Sequence, residues 1–453
     1  MADTFVVVGG DAAGMSAASK AKRENPEMDV VVFEKGEWVS YGACGLPYYV
    51  KGEIDELEEI IAVPKESFIE ERGIDLRTNH EVTSIDTAAK SVTVETPDAV
   101  LEQSYDSLLI ATGASAIVPP FDGIDLEEIY TIHDPPSGRA IREAIERPEP
   151  ERPETVGIVG GGYIGIEMAE AFRGQGLDVH VFEMLDHVLD PFGAMVGEAV
   201  EEELRENDVE LHLGTRVEGF EGDERVEAVR TESDSIPVDM VVVGVGVSAN
   251  AALAEEAGID IGDTGAIAVD EYGETSASDV YAAGDCAEAE HVVTGHPDHV
   301  PLALTANRAG RAVGQTVTGD PTRTGPIAGT AVVKAFDLEA GRTGIIDEER
   351  AREAGYDPVS VSITSKSRAG YYPGGSAIEI ELVADADSKR VLGAAMVGEE
   401  GVTKRVDTVT TAIYAKMDTR QVEYLDLSYA PPFGPTWDPV LTAAKVLNSK
   451  LDG

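Results

Sequence analysis

The chain has 453 residues, long enough for two or three domains each with its own core. Its 85 acidic residues against 35 basic ones give a formal net charge of −50, which repels nucleic acid and anionic membranes and excludes both as expected partners. No apolar run reaches 18 residues, no basic and apolar signal precedes the first strand, and two cysteines make no disulfide framework, so a cytoplasmic protein in a reducing compartment is expected.

Residues 5–35, FVVVGGDAAGMSAASKAKRENPEMDVVVFEK, read as an apolar strand, a glycine turn, a helix and a second strand ending at Glu34. Gly9, Gly10 and Gly14 hold the turn, and Asp11 stands where a middle glycine is usual. Next comes SYGACGLPYYV, residues 40–50, in which Cys44 has no second cysteine nearby. Pro47 marks a helix start, where the dipole favours a thiolate. Residues 105–115, YDSLLIATGAS, are a strand running into the turn Thr112-Gly113. RPEPERPE, 147–154, is a proline-rich surface turn.

Residues 155–184, TVGIVGGGYIGIEMAEAFRGQGLDVHVFEM, repeat the first unit with the full spacing Gly160, Gly162 and Gly165, and end at Glu183. Glycines let backbone approach a pyrophosphate at a helix N-terminus, and the acid takes ribose hydroxyls. A carboxylate repels a 2′-phosphate, so Glu183 favours NADH over NADPH, with His187 and Arg173 able to soften the preference. The run from Met240 is strand, turn (with Gly246) and helix. DVYAAGDCAEA, 279–289, is a strand ending at Gly284-Asp285, followed by Cys286 as a small buried residue. HVVTGHPDH, 291–299, lacks a standard ligand pair and reads as a surface loop, so no metal site is assigned. In the last third AIEIELVAD alternates, DSKR turns and VLGAAMVG returns. Val402, Val406, Val409 and Ile413 then form a helical core stripe.

These segments match the FAD-dependent pyridine nucleotide–disulfide oxidoreductases. SYGACGLPYYV resembles the active-site segment of that family's single-cysteine branch, the coenzyme A disulfide reductases, NADH oxidases and coenzyme A persulfide reductases. Four further segments are similar to the branch: PLALTANRAGR, GTAVVKAFDLEAGRTG, SRAGYYPGGSAIEIEL and LDLSYAPPFGPTWDPV. The residue before the cysteine, often asparagine there, is Ala43. The acidic residues are spread along the chain, which suggests a halophile's surface.

The resemblance implies an α/β protein with two Rossmann-like dinucleotide-binding domains and a C-terminal α+β dimerisation domain. The FAD domain would take residues 1–120 and 248–326, the NAD domain 121–247, and the homodimerising domain 327–453. Gly9, Gly10, Gly14, Glu34, Lys35, Thr112, Gly113, Gly284 and Asp285 would hold FAD. Gly160, Gly162, Gly165, Glu183 and Gly246 would hold NADH or NADPH. Cys44 would be the redox residue, assisted by Tyr429 and by Tyr371 or Tyr372. Ser16, Lys20, Arg23, Ser40 and Arg72 would receive coenzyme A. The implied activity is flavin-dependent reduction of coenzyme A disulfide, or a related disulfide or persulfide. An NADH oxidase cycling through a cysteine sulfenic acid and an electron-transfer reductase for a protein carrier stay open.

Overall fold

The computed structural model describes residues 3–452. Two five-stranded parallel sheets dominate it. The first runs in the order Val280–Ala282, Ser107–Ile110, Thr4–Val8, Asp29–Glu34, Asp75–Thr78. The second runs Val209–His212, Asp178–Phe182, Thr155–Val159, Met240–Val243, Ile129–Tyr130. Strands such as FVVV and MVVV are apolar throughout because a parallel sheet is covered on both faces, and their residues are buried accordingly. Each parallel sheet is accompanied by a three-stranded antiparallel one, from 81–104 and from 217–237.

The chain leaves the first sheet and returns to it through one antiparallel ribbon, Ala114–Ala116 with Val247–Ala249. Thr112 and Asn250 clasp that crossing. The Thr112 hydroxyl donates to the Asn250 carbonyl at 2.7 Å, and the Asn250 amide donates to the Thr112 carbonyl at 2.9 Å. The segment from Met240 therefore carries a short strand, Val247–Ala249, between its turn and its helix.

Helix Ala12–Glu24 lies directly on helix Ala303–Thr316. A Cβ at Gly310 or Gly314 would fall 2.1 or 2.3 Å from the carbonyl oxygens of Ala13 and Ala17, so the approach requires glycine. The C-terminal region is a five-stranded antiparallel sheet ordered Ala331–Ala335, Leu338–Gly344, Val391–Gly398, Ala377–Asp385, Pro358–Lys366. Helix Val402–Tyr414 packs on it through the buried stripe Val402, Val406, Val409 and Ile413. Full burial of each such side chain contributes about 1.5–3 kcal/mol.

One buried carboxylate joins these parts. Glu170, on helix Tyr163–Gly174, accepts from Lys51 Nζ at 2.7 Å, Lys334 Nζ at 2.5 Å and the Phe336 N–H at 2.8 Å. Burial pushes its carboxyl up, but the two lysines and the amide outweigh it and hold it below the usual carboxylate range. Lys51 ends the helix that follows Cys44, so the junction fixes that helix to the second unit.

Candidate active site

The two nucleotide units repeat each other bond for bond. Gly9 and Gly160 have φ of +113° and +110°, and their N–H groups donate to Phe33 and Phe182 carbonyls, both at 2.8 Å. A Cβ at Gly14 or Gly165 would lie 1.9 Å from the Gly9 or Gly160 carbonyl oxygen. Glu34 accepts from the Gly10 and Gly36 N–H groups at 2.8 and 2.7 Å; Glu183 accepts from Gly161 and Leu185 at 2.7 and 2.8 Å. Each acid thus stands at its strand end, clamped to the glycine turn. Lys35 is exposed just beyond the first of them.

Neither helix that starts at these turns has a side-chain cap, so first-turn N–H groups remain for an anion. A Cβ at Gly162 would meet nothing within 4 Å, which leaves room for a pyrophosphate. Asp11 occupies the matching place in the first unit, and its carboxylate turns aside to accept the Tyr41 N–H at 3.1 Å. Burial, followed by the charges of Glu34 and Asp285, pushes Asp11 up to about 7. Asp285 follows Gly284, where a Cβ would sit 2.9 Å from that of Ala13, so the strand end closes on the first helix. Burial raises Asp285 as well, against the opposing charges of His299 and His133. His299 Nε2 lies 2.8 Å from the Asp285 carbonyl oxygen. The glycine turns, uncapped helices and strand-end acids fit a dinucleotide in each unit. Gly113 and Gly246, both at positive φ, sit where the two units meet the connecting ribbon.

Cys44 lies in the turn Ala43–Gly45, just before helix Leu46–Lys51 with Pro47 in its first turn. The loop is held on both sides. The Ser40 N–H donates to the Gly10 carbonyl at 3.0 Å, the Ala62 N–H to the Ser40 carbonyl at 2.8 Å, and the Gly42 N–H to the Ile60 carbonyl at 2.8 Å. Gly45 is required because a Cβ there would fall 2.9 Å from Ile60 Cγ2. The thiol reaches solvent, while Cys286 is fully buried against the Ile110 and Ala283 carbonyls. The expectation of a helix-favoured thiolate is corrected here. Burial raises the Cys44 thiol above its ordinary value, and Glu167, Asp285 and Asp11 raise it further.

Glu167 was not singled out by the sequence reading. It sits on helix Tyr163–Gly174 of the second unit and accepts from the Tyr48 hydroxyl at 3.4 Å. Burial pushes it up to about 7, with Glu170 adding to the rise. The signal available in the sequence was two glutamates one turn apart in the otherwise apolar run YIGIEMAEAF, since burying acid is costly unless it is used.

Tyr371 and Tyr429, 58 residues apart, bring their hydroxyls to 2.5 Å. Tyr371, Tyr372, Tyr429, Phe433 and Trp437 are exposed on the chain, an aromatic patch of the kind that protein interfaces cover. The basic residues do not assemble as one helix face. Lys20 is buried and pairs with Glu24, whereas Arg23 is exposed. Arg72 donates to the Ser19 hydroxyl at 2.7 Å and lies over Phe68, and Ser16 donates to Asn307 at 2.6 Å. Arg173 is engaged by the Leu177 and Asn207 carbonyls, and His187 by Glu201. The histidine segment 291–299 is not a simple surface loop. His291 is buried and pushed down to about 4, first by burial.

The family described as pyridine nucleotide-disulphide oxidoreductase matches residues 3–310, and its dimerisation domain matches 330–439. The chain is 43% identical to a Pyrococcus abyssi protein named NAD(P)H sulfur oxidoreductase (CoA-dependent), over 98% of each chain. It is 42% identical to the NAD(P)H coenzyme A polysulfide/persulfide reductase of Pyrococcus horikoshii, over 99% of each. Its fold superposes on a NAD-dependent persulfide reductase from A. fulgidus with a TM-score of 0.96 at 39% identity, covering 99% of this chain and 84% of that one. Among the described residues, no helix is long and apolar enough to cross a membrane.

Proposed function

Since the chain belongs to the pyridine nucleotide–disulphide oxidoreductase family, and is by that membership an NAD(P)H-dependent FAD oxidoreductase, we propose that it reduces a disulfide or persulfide carried by coenzyme A. The observation that carries this reading is the lone, solvent-reaching Cys44 beside the first glycine turn, with the other thiol sealed in a core. A disulfide partner for Cys44 must therefore come from outside the chain.

Gly9, Gly10, Gly14, Glu34, Lys35, Thr112, Gly113, Gly284 and Asp285 would hold FAD, which would supply two-electron transfer between a nicotinamide and a sulfur. NADH is held by Gly160, Gly162, Gly165, Glu183 and Gly246. The Glu183 carboxylate suits a free 2′-hydroxyl, and Arg173 and His187 are occupied elsewhere. Arg23 and Arg72, with Ser16 and Ser40, receive the coenzyme A phosphates, while Lys20 stays paired with Glu24.

The Cys44 thiolate attacks the substrate sulfur. A bond forms between Cys44 and the coenzyme A sulfur, the substrate S–S bond breaks, and the departing thiolate or hydrosulfide takes a proton. Glu167, titrating near neutrality, accepts the Cys44 proton. In a homodimer the Tyr371–Tyr429 pair donates to the leaving sulfur. The electron pair of NADH would then break the Cys44–coenzyme A S–S bond, returning the Cys44 thiolate and releasing coenzyme A thiol; in balance, NADH, a proton and a disulfide give NAD⁺ and two thiols, and a persulfide gives one thiol and hydrogen sulfide.

The test is the intact mass of the protein as purified, with Cys44→Ser as control. A thiol-releasable coenzyme A adduct on Cys44 alone, and loss of disulfide and persulfide turnover on the order of 10⁴-fold in the variant, is expected. One added oxygen on Cys44 without an adduct, paired with oxygen consumption, would move the assignment to an NADH oxidase. Turnover near wild type in Cys44→Ser would overturn both.

A further inference from the structure

His180, Glu210 and His212 meet on one face of the second sheet at its edge. Parallel pairing sets His180 opposite Glu210 and Phe182 opposite His212. Strand alternation therefore turns all four side chains to the same side. His180 Nδ1 lies 3.1 Å from His212 Nε2 and 3.3 Å from Glu210 Oε2. Phe182 stacks on the His212 ring, centroids 4.6 Å apart and planes 9° from parallel, which limits that ring's rotation.

We propose that His180, Glu210 and His212 form a binding site for a divalent late transition-metal ion of the zinc class. Metal–ligand bonds of about 2.0–2.2 Å at tetrahedral angles place neighbouring ligand atoms roughly 3.3–3.5 Å apart. His180 Nδ1 is 3.1 and 3.3 Å from its two neighbours, close to that spacing, and all three ligand atoms lie within 4.8 Å of one another. The two imidazoles now lie edge to edge, ring centroids 5.4 Å apart, and share a proton between their facing nitrogens. An ion replaces that proton once the rings tilt out of line, and the exposed Glu210 side chain swings in to complete three ligands with water as the fourth. Two imidazoles and one carboxylate select against magnesium and calcium, which take oxygen ligands.

The site backs the ribose acid. The His212 carbonyl accepts the Glu183 N–H at 3.0 Å. An ion there ties the edge strand Val209–His212 to its neighbour directly behind Glu183. The three ligands come as HVF and ELH on separate strands, away in sequence from the histidines of 291–299.

The experiment uses full-length, FAD-loaded protein carrying Cys44→Ser, so that no exposed thiol competes, stripped with a chelator and held in about 1 M KNO₃ to screen surface carboxylates. Zn²⁺ is titrated calorimetrically and Co²⁺ by its visible spectrum. One equivalent per chain is expected, with a four-coordinate nitrogen and oxygen cobalt spectrum and a thermal midpoint raised by a few degrees. His180→Gln or His212→Gln should weaken binding by more than the 10–100-fold typical of losing a supporting group around a metal. Glu210→Gln, on an exposed side chain that folding does not need, should weaken it about 10-fold. Weak binding at many sites, unchanged in Glu210→Gln and in whichever histidine variants retain FAD, would overturn the proposal, as would no binding at all.

Discussion

Cys44 stands at the start of a helix, yet its thiol ionises less readily than a free cysteine. Burial acts first, and the carboxylates of Glu167, Asp285 and Asp11 follow. A helix of six residues offers little against that charge. Removing one carboxylate should therefore free the thiolate. Glu167→Gln is expected to lower the midpoint of the pH profile for Cys44 alkylation and to speed alkylation several-fold at pH 8. The same variant should lose the limb of the kcat/KM profile near pH 7, because Glu167 titrates there. An alkylation midpoint that stays put would show that Glu167 does not act on the sulfur. The thiol and its glycine-rich loop were legible in the sequence because a short stretch contains them. The partnership with Glu167 was not, since helix Tyr163–Gly174 reaches the thiol only through the packing of one nucleotide unit on the other. The burial of Lys20 and its pairing with Glu24 were hidden for a similar reason, since they come from packing that spacing along one helix does not show.

At the scale of elements, the doubled strand–turn–helix–strand unit is what the sequence shows most directly. Glycine, turn and acid lie within one contiguous segment, and the fold repeats their bonds in both copies. The antiparallel C-terminal sheet was equally plain, since AIEIELVAD alternates where one face is less covered. What spacing could not show is how the units are joined. Glu183 belongs to the legible part. Glu183→Arg removes a carboxylate from the ribose position and adds a phosphate partner, so the ratio of kcat/KM for NADPH to that for NADH should rise at least about 10-fold. An unchanged ratio would place the ribose elsewhere. Glu170 belongs to the hidden part. Its neutral variant Glu170→Gln leaves Lys334 and Lys51 without the shared carboxylate where helices Leu46–Lys51 and Tyr163–Gly174 meet strand Ala331–Ala335. Because both lysines still reach solvent, the loss should be about 2 kcal/mol at neutral pH, below the range for fully buried pairs. The Glu170 carboxyl is depressed in the fold. Its contribution is therefore complete above the ordinary carboxylate value of about 4.3 and disappears as pH falls through the depressed one. Denaturation of the two proteins at pH 7 and near pH 3 checks this: the gap should narrow in acid, and an equal gap at both would mean that charge is not its cause.

The whole molecule carries fifty excess negative charges while its substrates, NADH and coenzyme A, are anions. At low ionic strength that field opposes both the compact state and the approach of substrate. Many of the scarce cations are already committed, Lys20 to Glu24, Lys51 and Lys334 to Glu170, and Arg405 to Asp438. Salt shortens the reach of the field to roughly 3 Å at 1 M. Contact-range groups, the uncapped helix N-termini and Arg23 among them, then act on a ligand without the distant carboxylates. Stability and turnover should therefore rise together with salt. Thermal midpoint and NADH-dependent turnover measured from about 0.1 M to about 3 M KCl test this, since the low end leaves a screening length of about 10 Å and the high end less than an atom's contact distance. The Michaelis constant for NADH should fall over the first part of that range, where long-range repulsion is lost, before the thermal midpoint levels off. A protein most stable and most active at the dilute end would show that its acidic surface is not an adaptation to salt, and would leave the chemistry of Cys44 unaffected.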